Sequence, residues 1–389
     1  MLHPGRKTKV FRNVTTSRPT IVALADDFSG AAEIAGVAHR HGLDVHLTNT
    51  LPESIPTEGT ALVIDTDTRR HSEEKAISIH QQLAEFLQRH FFYVYKKTDS
   101  VLRGHITAEL RTILTLLPKS NVLFIPANPA RKRTIIKGRY AIDGTPLHHT
   151  EFANDPKAPI TTDSVTEILP DFQHLPLEKP SLLTKTNGQL FIADTSTETH
   201  LHYWAKHTAE SILPAGASPF FAAYLQHLGH QSKPRSKLNN QQSSPDNPTL
   251  LLCGSFSNNS RRAAELFRHN HWPILELTGT NQPQFPADSP IALIKLPAKI
   301  QPNPDELPQR LANWLQQYLE TCSVPAGNIL IEGGDTAAAI LQTFGWNTFQ
   351  VLDEWEPGVV TLRPQVPGAP KVTIKPGSYA WPEDIFPAR

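Results

Sequence analysis

The residues able to do chemistry fall into short clusters, each placed just after an apolar run. The densest is Lys96-Lys97-Thr98-Asp99-Ser100 with Arg103-Gly104, which follows the run 91–95. Two cations, a carboxylate, a hydroxyl and a guanidinium within eight residues suit a small anionic, hydroxyl-rich molecule. Asp26-Asp27-Phe28-Ser29-Gly30 closes a second run, 20–24. One of these carboxylates serves as a helix cap. Two side by side exceed what a cap needs, because like charges raise each other's pKa unless a cation, metal or substrate hydroxyl engages them. Asp65-Thr66-Asp67-Thr68-Arg69-Arg70 closes a third, 61–64, and Arg69 or Arg70 fits a bidentate grip on a carboxylate. The segment 126–134, PANPARKRT, closes a fourth.

The elements that must position these clusters are strands and helices in alternation. The runs 20–24, 61–64, 91–95 and 122–125 read as buried parallel strands, and helices follow over 31–41 and 73–89, with Ser72 as a cap. In open α/β sheets such strand ends form the ligand-binding edge. The segment 138–156 predicts turns with a hairpin at Asp143-Gly144. A helix is expected from Asp194 through Thr197 to Ile212. The polar stretch 232–248 reads as a linker or exposed loop.

Beyond it the pattern repeats. A strand at 249–253 leads into Gly254-Ser255-Phe256-Ser257 and a helix over 261–270. Strands are expected at 273–277 and 291–296, and a helix over 305–321. A strand at 328–331 leads into Glu332-Gly333-Gly334-Asp335-Thr336 and a helix over 337–344. Small residues between strand and helix expose N–H groups at a positive helix end and suit phosphate. No GxxxxGK[ST] loop is present.

The 389 residues exceed what one core usually serves, so the expected fold is α/β with two domains, each a mostly parallel sheet flanked by helices, and the active site in the cleft between them. The expected division is an N-terminal extension 1–18, a domain 19–231, the linker 232–248 and a domain 249–389. Net charge is zero and no basic stripe marks a nucleic-acid partner. No apolar run approaches the roughly 20 residues that cross a bilayer. The basic N-terminus lacks the apolar core of a secretory signal, and a transit peptide is the weaker reading. Two distant cysteines fit a reducing cytoplasm. His148-His149 with Glu151 reads as an ordinary loop before it reads as a metal site, and metal ligands stay unassigned. A nicotinamide dehydrogenase is a poor fit, since no GxGxxG follows the first strand. For assembly the reading allows a homodimer.

From Ala25 to Phe386 the motifs resemble one family, the four-carbon acid sugar kinases. Segment 25–33, ADDFSGAAE, is similar to the family's opening ADD-hydroxyl-GA-E element. Segment 65–69 resembles DTDSR, and 96–104, KKTDSVLRG, resembles KKxDSTLRGN, the most specific of the set. PANPARKRT and DGTPLHHTEFANDP resemble PAxPxxGRT and DGxPLxxTxFAxDP. GSFS and EGGDT are similar to the family's nucleotide elements. The chain departs at Asn128, where the family has an aromatic, at Lys132, where it has glycine, at His105, and after Gly377, where Asn-Phe-Gly is missing.

The resemblance implies ATP- and Mg²⁺-dependent phosphorylation of threonate, erythronate or 3-oxo-tetronate in the cytoplasm. The acid would be bound through Asp26, Arg69, Lys97, Thr98, Asp99, Ser100 and Arg103. Arg69 is the expected carboxylate holder, Asp27 or Asp99 the base, and Lys97 the group on substrate or phosphoryl. ATP would be bound through Ser257, Gly333, Gly334, Asp335, Thr336 and Gly377. The alternative is a non-catalytic sugar-acid-binding or regulatory relative with weakened ATP use, motivated by the altered Gly377 loop.

Overall fold

The structure, a computed structural model, describes residues 21–52, 59–88, 93–154, 159–234, 248–254, 258–278, 285–286, 288–296, 306–321, 326–377 and 379–386. The expected extension, Ser257 and most of the expected linker lie outside these residues.

The N-terminal half opens with β1 (Ile21–Ala25), α1 (Phe28–Arg40), β2 (Asp44–Thr48), β3 (Thr60–Asp65), α2 (Glu73–Leu87), β4 (Tyr93–Lys97), α3 (Ile106–Leu116) and β5 (Asn121–Ile125). A small antiparallel sheet follows, β6 (Arg133–Ile136), β7 (Arg139–Ile142) and β8 (Thr145–Pro146). Its β7–β8 turn is Asp143-Gly144, as expected, and both residues take positive φ. Then come α4 (Val165–Ile168), β9 (Phe172–Leu175), α5 (Leu182–Lys185), β10 (Leu190–Ala193), α6 (Glu198–Lys206), β11 (Ile212–Gly216) and α7 (Ser218–His227). The helix expected to reach Ile212 stops at Lys206. Ile212 instead opens β11, whose five residues are all buried.

The C-terminal half contains β12 (Thr249–Cys253), α8 (Asn258–His269), β13 (Ile274–Glu276), β14 (Ile291–Lys295), α9 (Leu307–Thr321), β15 (Asn328–Glu332), α10 (Gly334–Phe344), β16 (Thr348–Glu356), β17 (Val359–Pro364) and β18 (Lys371–Lys375). Among the described residues no helix is long and apolar enough to cross a membrane.

The two expected sheets are one. Strands run in the order β13-β14-β12-β15-β18-β17-β16-β2-β3-β1-β4-β11-β5-β10-β9. Pairing is parallel in both wings and antiparallel through β18, β17, β16 and β2. The join is short: Thr348, Phe349 and Gln350 face Thr48, Leu47 and His46.

The helix α1 sits over this join. Asp27 caps it, Oδ1 accepting from Gly30 N–H at 2.9 Å, which starts the helix three residues earlier than expected. It ends at Arg40 with His41 as its C-cap, and Gly42 follows, its N–H reaching the His39 carbonyl. Residues Phe28 to Ala38 are all buried, against β2, β3, α7, β16 and β17. Small side chains allow this. A Cβ on Gly36 would fall 2.7 Å from Val360 Cγ2, so only glycine lets β17 close on the helix. Burying Phe28, Ile34 and Val37 contributes about 1.5–3 kcal/mol each.

Candidate active site

The ends of β1, β3 and β4 converge on one guanidinium. Arg69 Nε and Nη2 donate to Asp26 at 3.0 and 2.8 Å, and Nη1 and Nη2 donate to Asp27 at 3.1 Å each. Asp99 Oδ1 stands 3.7 Å from Nη1. Burial alone would lower the Arg69 pKa, but Asp26, Asp27 and Asp99 raise it well above its ordinary value. Burial likewise pushes Asp26 up, and Arg69, Lys96 and Lys97 outweigh it, so Asp26 is held low and charged. Asp65 has no ion pair within contact distance among the described residues, and Arg70 acts on it only from further off. Burial and neighbouring Asp67, Asp27 and Asp26 push its pKa well above its ordinary value, against the pull of the Asp67 N–H on Oδ1.

Asp99 is gripped from its own loop. Arg103 Nε and Nη2 each donate at 2.9 Å, and the N–H groups of Val101 and Arg103 at 3.2 and 3.3 Å. Despite burial, Arg69 and Arg103 hold it below the usual carboxylate range. Ser100 accepts from Arg133 at its hydroxyl and from Tyr140 at its carbonyl. Thr98 is fully buried, its hydroxyl without a partner among the described residues.

The two lysines diverge. Lys96 Nζ turns back into the fold and meets Glu109 at 2.9 Å, and Thr68 donates to the same carboxylate. Behind Glu109, burial and Lys96 push His80 down to about 4, so it is neutral, with Nδ1–H on the Ala76 carbonyl. Lys97 Nζ donates to the Thr98 carbonyl at 3.0 Å and lies 3.5 Å from Glu33 Oε2. Glu33 Oε1 accepts from Ser218 at 2.7 Å and from Tyr379 at 2.9 Å.

Tyr379 belongs to the loop after β18, and through it the C-terminal half reaches this site. The Arg131 guanidinium lies 3.3 Å over its ring. Lys375 Nζ holds the loop, donating to the Tyr379 carbonyl at 2.7 Å and pairing with Glu332 at 3.1 Å. Ser260 and Trp381 also donate to Glu332. A second contact is closer to the chemistry. A Cβ built on Gly334 would lie 3.1 Å from Asp27 Oδ2 and 3.2 Å from Ser29 Oγ. The first turn of α10 thus abuts the first turn of α1. Asp335 is exposed there, and Thr336 is buried with its hydroxyl against Gly254.

Of the residues singled out from the sequence, Asp26, Asp27, Arg69, Asp99 and Arg103 form one ion network, Lys97 and Gly334 border it, and Gly333 is tied to Lys375 on the C-terminal side. Asp335, Thr336 and Gly377 lie at the C-terminal edge; Ser257 is outside the described residues. His148 and His149 pack ring to ring, and among the described residues no group of three His, Cys, Asp or Glu is placed to hold a metal. Sequence reasoning gave no role to Glu33, Glu109, Arg131, Arg133 or Tyr379. The signal for Glu33 was present: a carboxylate among small apolar residues on a buried helix needs partners.

The chain is thus an α/β protein whose parallel strand ends gather paired carboxylates and cations beside a glycine-opened helix N-terminus. Residues 21–224, over half the chain, match the family described as the sugar-binding N-terminal domain. The chain belongs to the four-carbon acid sugar kinase family.

Among its relatives, a D-threonate kinase of Salmonella typhimurium is 28% identical over 63% of this chain and 60% of its own length. A 3-oxo-tetronate kinase of Brucella melitensis is 30% identical, but over only 38% of this chain and 35% of its own. The match therefore spans less than two thirds of these two relatives. A 3-oxo-tetronate kinase of Cupriavidus necator is 23% identical over 94% of this chain and 95% of its own. Two solved structures share the fold at 19% identity. A Salmonella typhimurium LT2 protein described as a tRNA synthase has a TM-score of 0.76 over 93% of this chain and 96% of that one. A Haemophilus influenzae protein of the DUF1537 family has a TM-score of 0.67 over 94% and 98%.

Proposed function

We propose that this chain is an ATP-dependent kinase of a small sugar acid of the threonate, erythronate or 3-oxo-tetronate class. The observation that carries this reading is the Asp27–Gly334 approach. It brings a carboxylate of the expected acceptor site against the expected phosphate loop. Residues 19–231 take the acceptor and 249–389 the nucleotide, with the reaction at their shared edge.

The acceptor hydroxyl attacks the γ-phosphorus. The new O–P bond forms as the bond to ADP breaks, and the hydroxyl proton passes to a carboxylate. Asp27 suits that role better than Asp99. Both carboxylates accept from a guanidinium on both oxygens, Asp27 from Arg69 and Asp99 from Arg103, but the Asp27 side chain is 18% exposed and faces Gly334, while that of Asp99 is 8% exposed. Lys97 meets the charge developing on the transferred group. The N–H groups of Gly334, Asp335 and Thr336, with Gly377 and Ser257, take the nucleotide phosphates at a positive helix end, while Gly333 opens that turn with its own N–H on the Lys375 carbonyl. Mg²⁺ enters with ATP as part of the substrate and neutralises its phosphates; Asp335 is the exposed carboxylate of that loop.

Coupled ADP release with a panel of four-carbon acids tests the reading. Turnover on at least one acid is expected, and none on any overturns it. Calorimetry that finds sugar-acid binding without ATP–Mg²⁺ binding would assign the chain to the non-catalytic alternative.

A further inference from the structure

An acid substrate brings a carboxylate, and most cations at this edge are already engaged. Arg69 makes four hydrogen bonds to Asp26 and Asp27. Arg103 is bidentate on Asp99, and Arg70 on Asp67. Lys96 pairs with Glu109, Lys97 with Glu33 and Lys375 with Glu332. Arg131 and Arg133 face no carboxylate among the described residues. They differ in surroundings: Arg131 lies flat on Tyr379, at the C-terminal loop, while Arg133 reaches Ser100 in the acceptor cluster.

Arg133 is also built to hold a fixed position. It opens β6, and its backbone exchanges two hydrogen bonds with Asn128, at 2.9 and 3.0 Å. Its guanidinium stands 5.9 Å from the centre of the Phe152 ring, and Arg103 stands 5.8 Å from the same ring. One N–H is fixed on the neutral Ser100 hydroxyl, and its other side-chain N–H groups bond to nothing among the described residues. A partly buried guanidinium whose side-chain partner is one neutral hydroxyl keeps N–H donors to offer an anion. Its planar fork matches a carboxylate with two parallel bonds.

We propose that Arg133 holds the carboxylate of the acceptor and so sets the preference for sugar acids over neutral polyols. The inference rests on the acceptor being a sugar acid. It gives the carboxylate a receptor on the Ser100 side of the 98–103 loop, with Asp27 left to the reacting hydroxyl.

The test uses the full chain, with threonate and erythronate as acids and threitol and erythritol as neutral counterparts. Arg133→Gln is expected to raise the acid KM about 10- to 100-fold, with the ATP KM unchanged and kcat kept near wild type at saturation. Arg133→Lys should recover part of the loss. The acid-over-polyol ratio of kcat/KM should collapse in Arg133→Gln. Arg131→Gln removes the same charge in the turn just before β6 and should leave acid binding by calorimetry within about threefold. An unchanged acid KM in Arg133→Gln overturns the inference, as does an equal rise in Arg131→Gln. So does loss of ATP binding together with acid binding in both Arg133 variants. If the wild type binds no acid at all, the kinase reading itself falls, a failure seen without any variant.

Discussion

The Tyr379 hydroxyl donates to Glu33 Oε1 at 2.9 Å, joining residues 346 positions apart. The other Glu33 oxygen stands 3.5 Å from Lys97 Nζ. One carboxylate therefore touches both the loop that follows Gly377 and the lysine at the acceptor site. Tyr379→Phe removes a single hydroxyl and keeps the ring under Arg131. It is expected to cost about 1 kcal/mol of stability and to lower kcat about 3- to 10-fold, with little change in the acid KM. Wild-type kcat in this variant would show that Lys97 does not sense the C-terminal loop.

Asp27→Asn keeps an oxygen to cap α1 and removes the charge. The folded protein should survive while kcat falls about 10²- to 10³-fold. Asp99→Asn instead weakens a buried, bidentate partner of Arg103 and should destabilise by about 3 kcal/mol. Parallel melting and single-turnover measurements separate the two carboxylates. A larger chemical defect in Asp99→Asn at intact stability would reverse the assignment.

Gly334→Ala places a methyl group 3.1 Å from Asp27 Oδ2 and 3.2 Å from Ser29 Oγ. Both oxygens are tied to other groups, so the first turn of α10 must shift. A loss of at least about 10-fold in kcat/KM is expected, with a small change in melting temperature. Unaltered kinetics would mean that this approach plays no part in transfer.

Glu354 on β16 pairs with Arg40 at 3.0 Å, yet burial, only partly offset by Arg40, pushes its carboxyl up to about 7. Its folded pKa lies above its ordinary value of 4.5, so between those two values the folded state binds more protons than the unfolded one. Stability contributed here is therefore lost as pH rises from about 4.5 to 7. Glu354→Gln should raise the melting temperature relative to wild type at pH 8 and much less at pH 5. A gain independent of pH would remove Glu354 as the titrating group.

The wings of the sheet were legible because their strands are short, mostly apolar runs ended by small or polar clusters. Ile21 to Ala25 and Thr249 to Cys253 are of this kind. The join was not, since β16 carries buried Asp353 and Glu354 within its ladder and breaks register near both. Its period-2 pattern is lost, and pairing with β2 depends on residues 300 positions apart. Ile212 was read as a helix end because β11 follows α6 closely and contains Pro214, which parallel strands seldom carry. At the site, residue types were readable but partners were not. Arg69 looked available for a ligand, and only the fold shows Asp26 and Asp27 closing on it. Lys132, where the family has glycine, adopts φ +55° and turns the chain between Arg131 and Arg133.

The short pairing of β2 with Thr348 to Gln350 also orders events during synthesis. Until the ribosome has passed residue 350, β2 has an open flank and the apolar face of α1 lacks its cover of β16 and β17. The nascent N-terminal portion thus emerges as a sticky, unfinished edge that β16 and β17, made much later, must seal. Chains that stall or are clipped before that point are predisposed to aggregate, even though every residue proposed to contact the sugar acid has already been made.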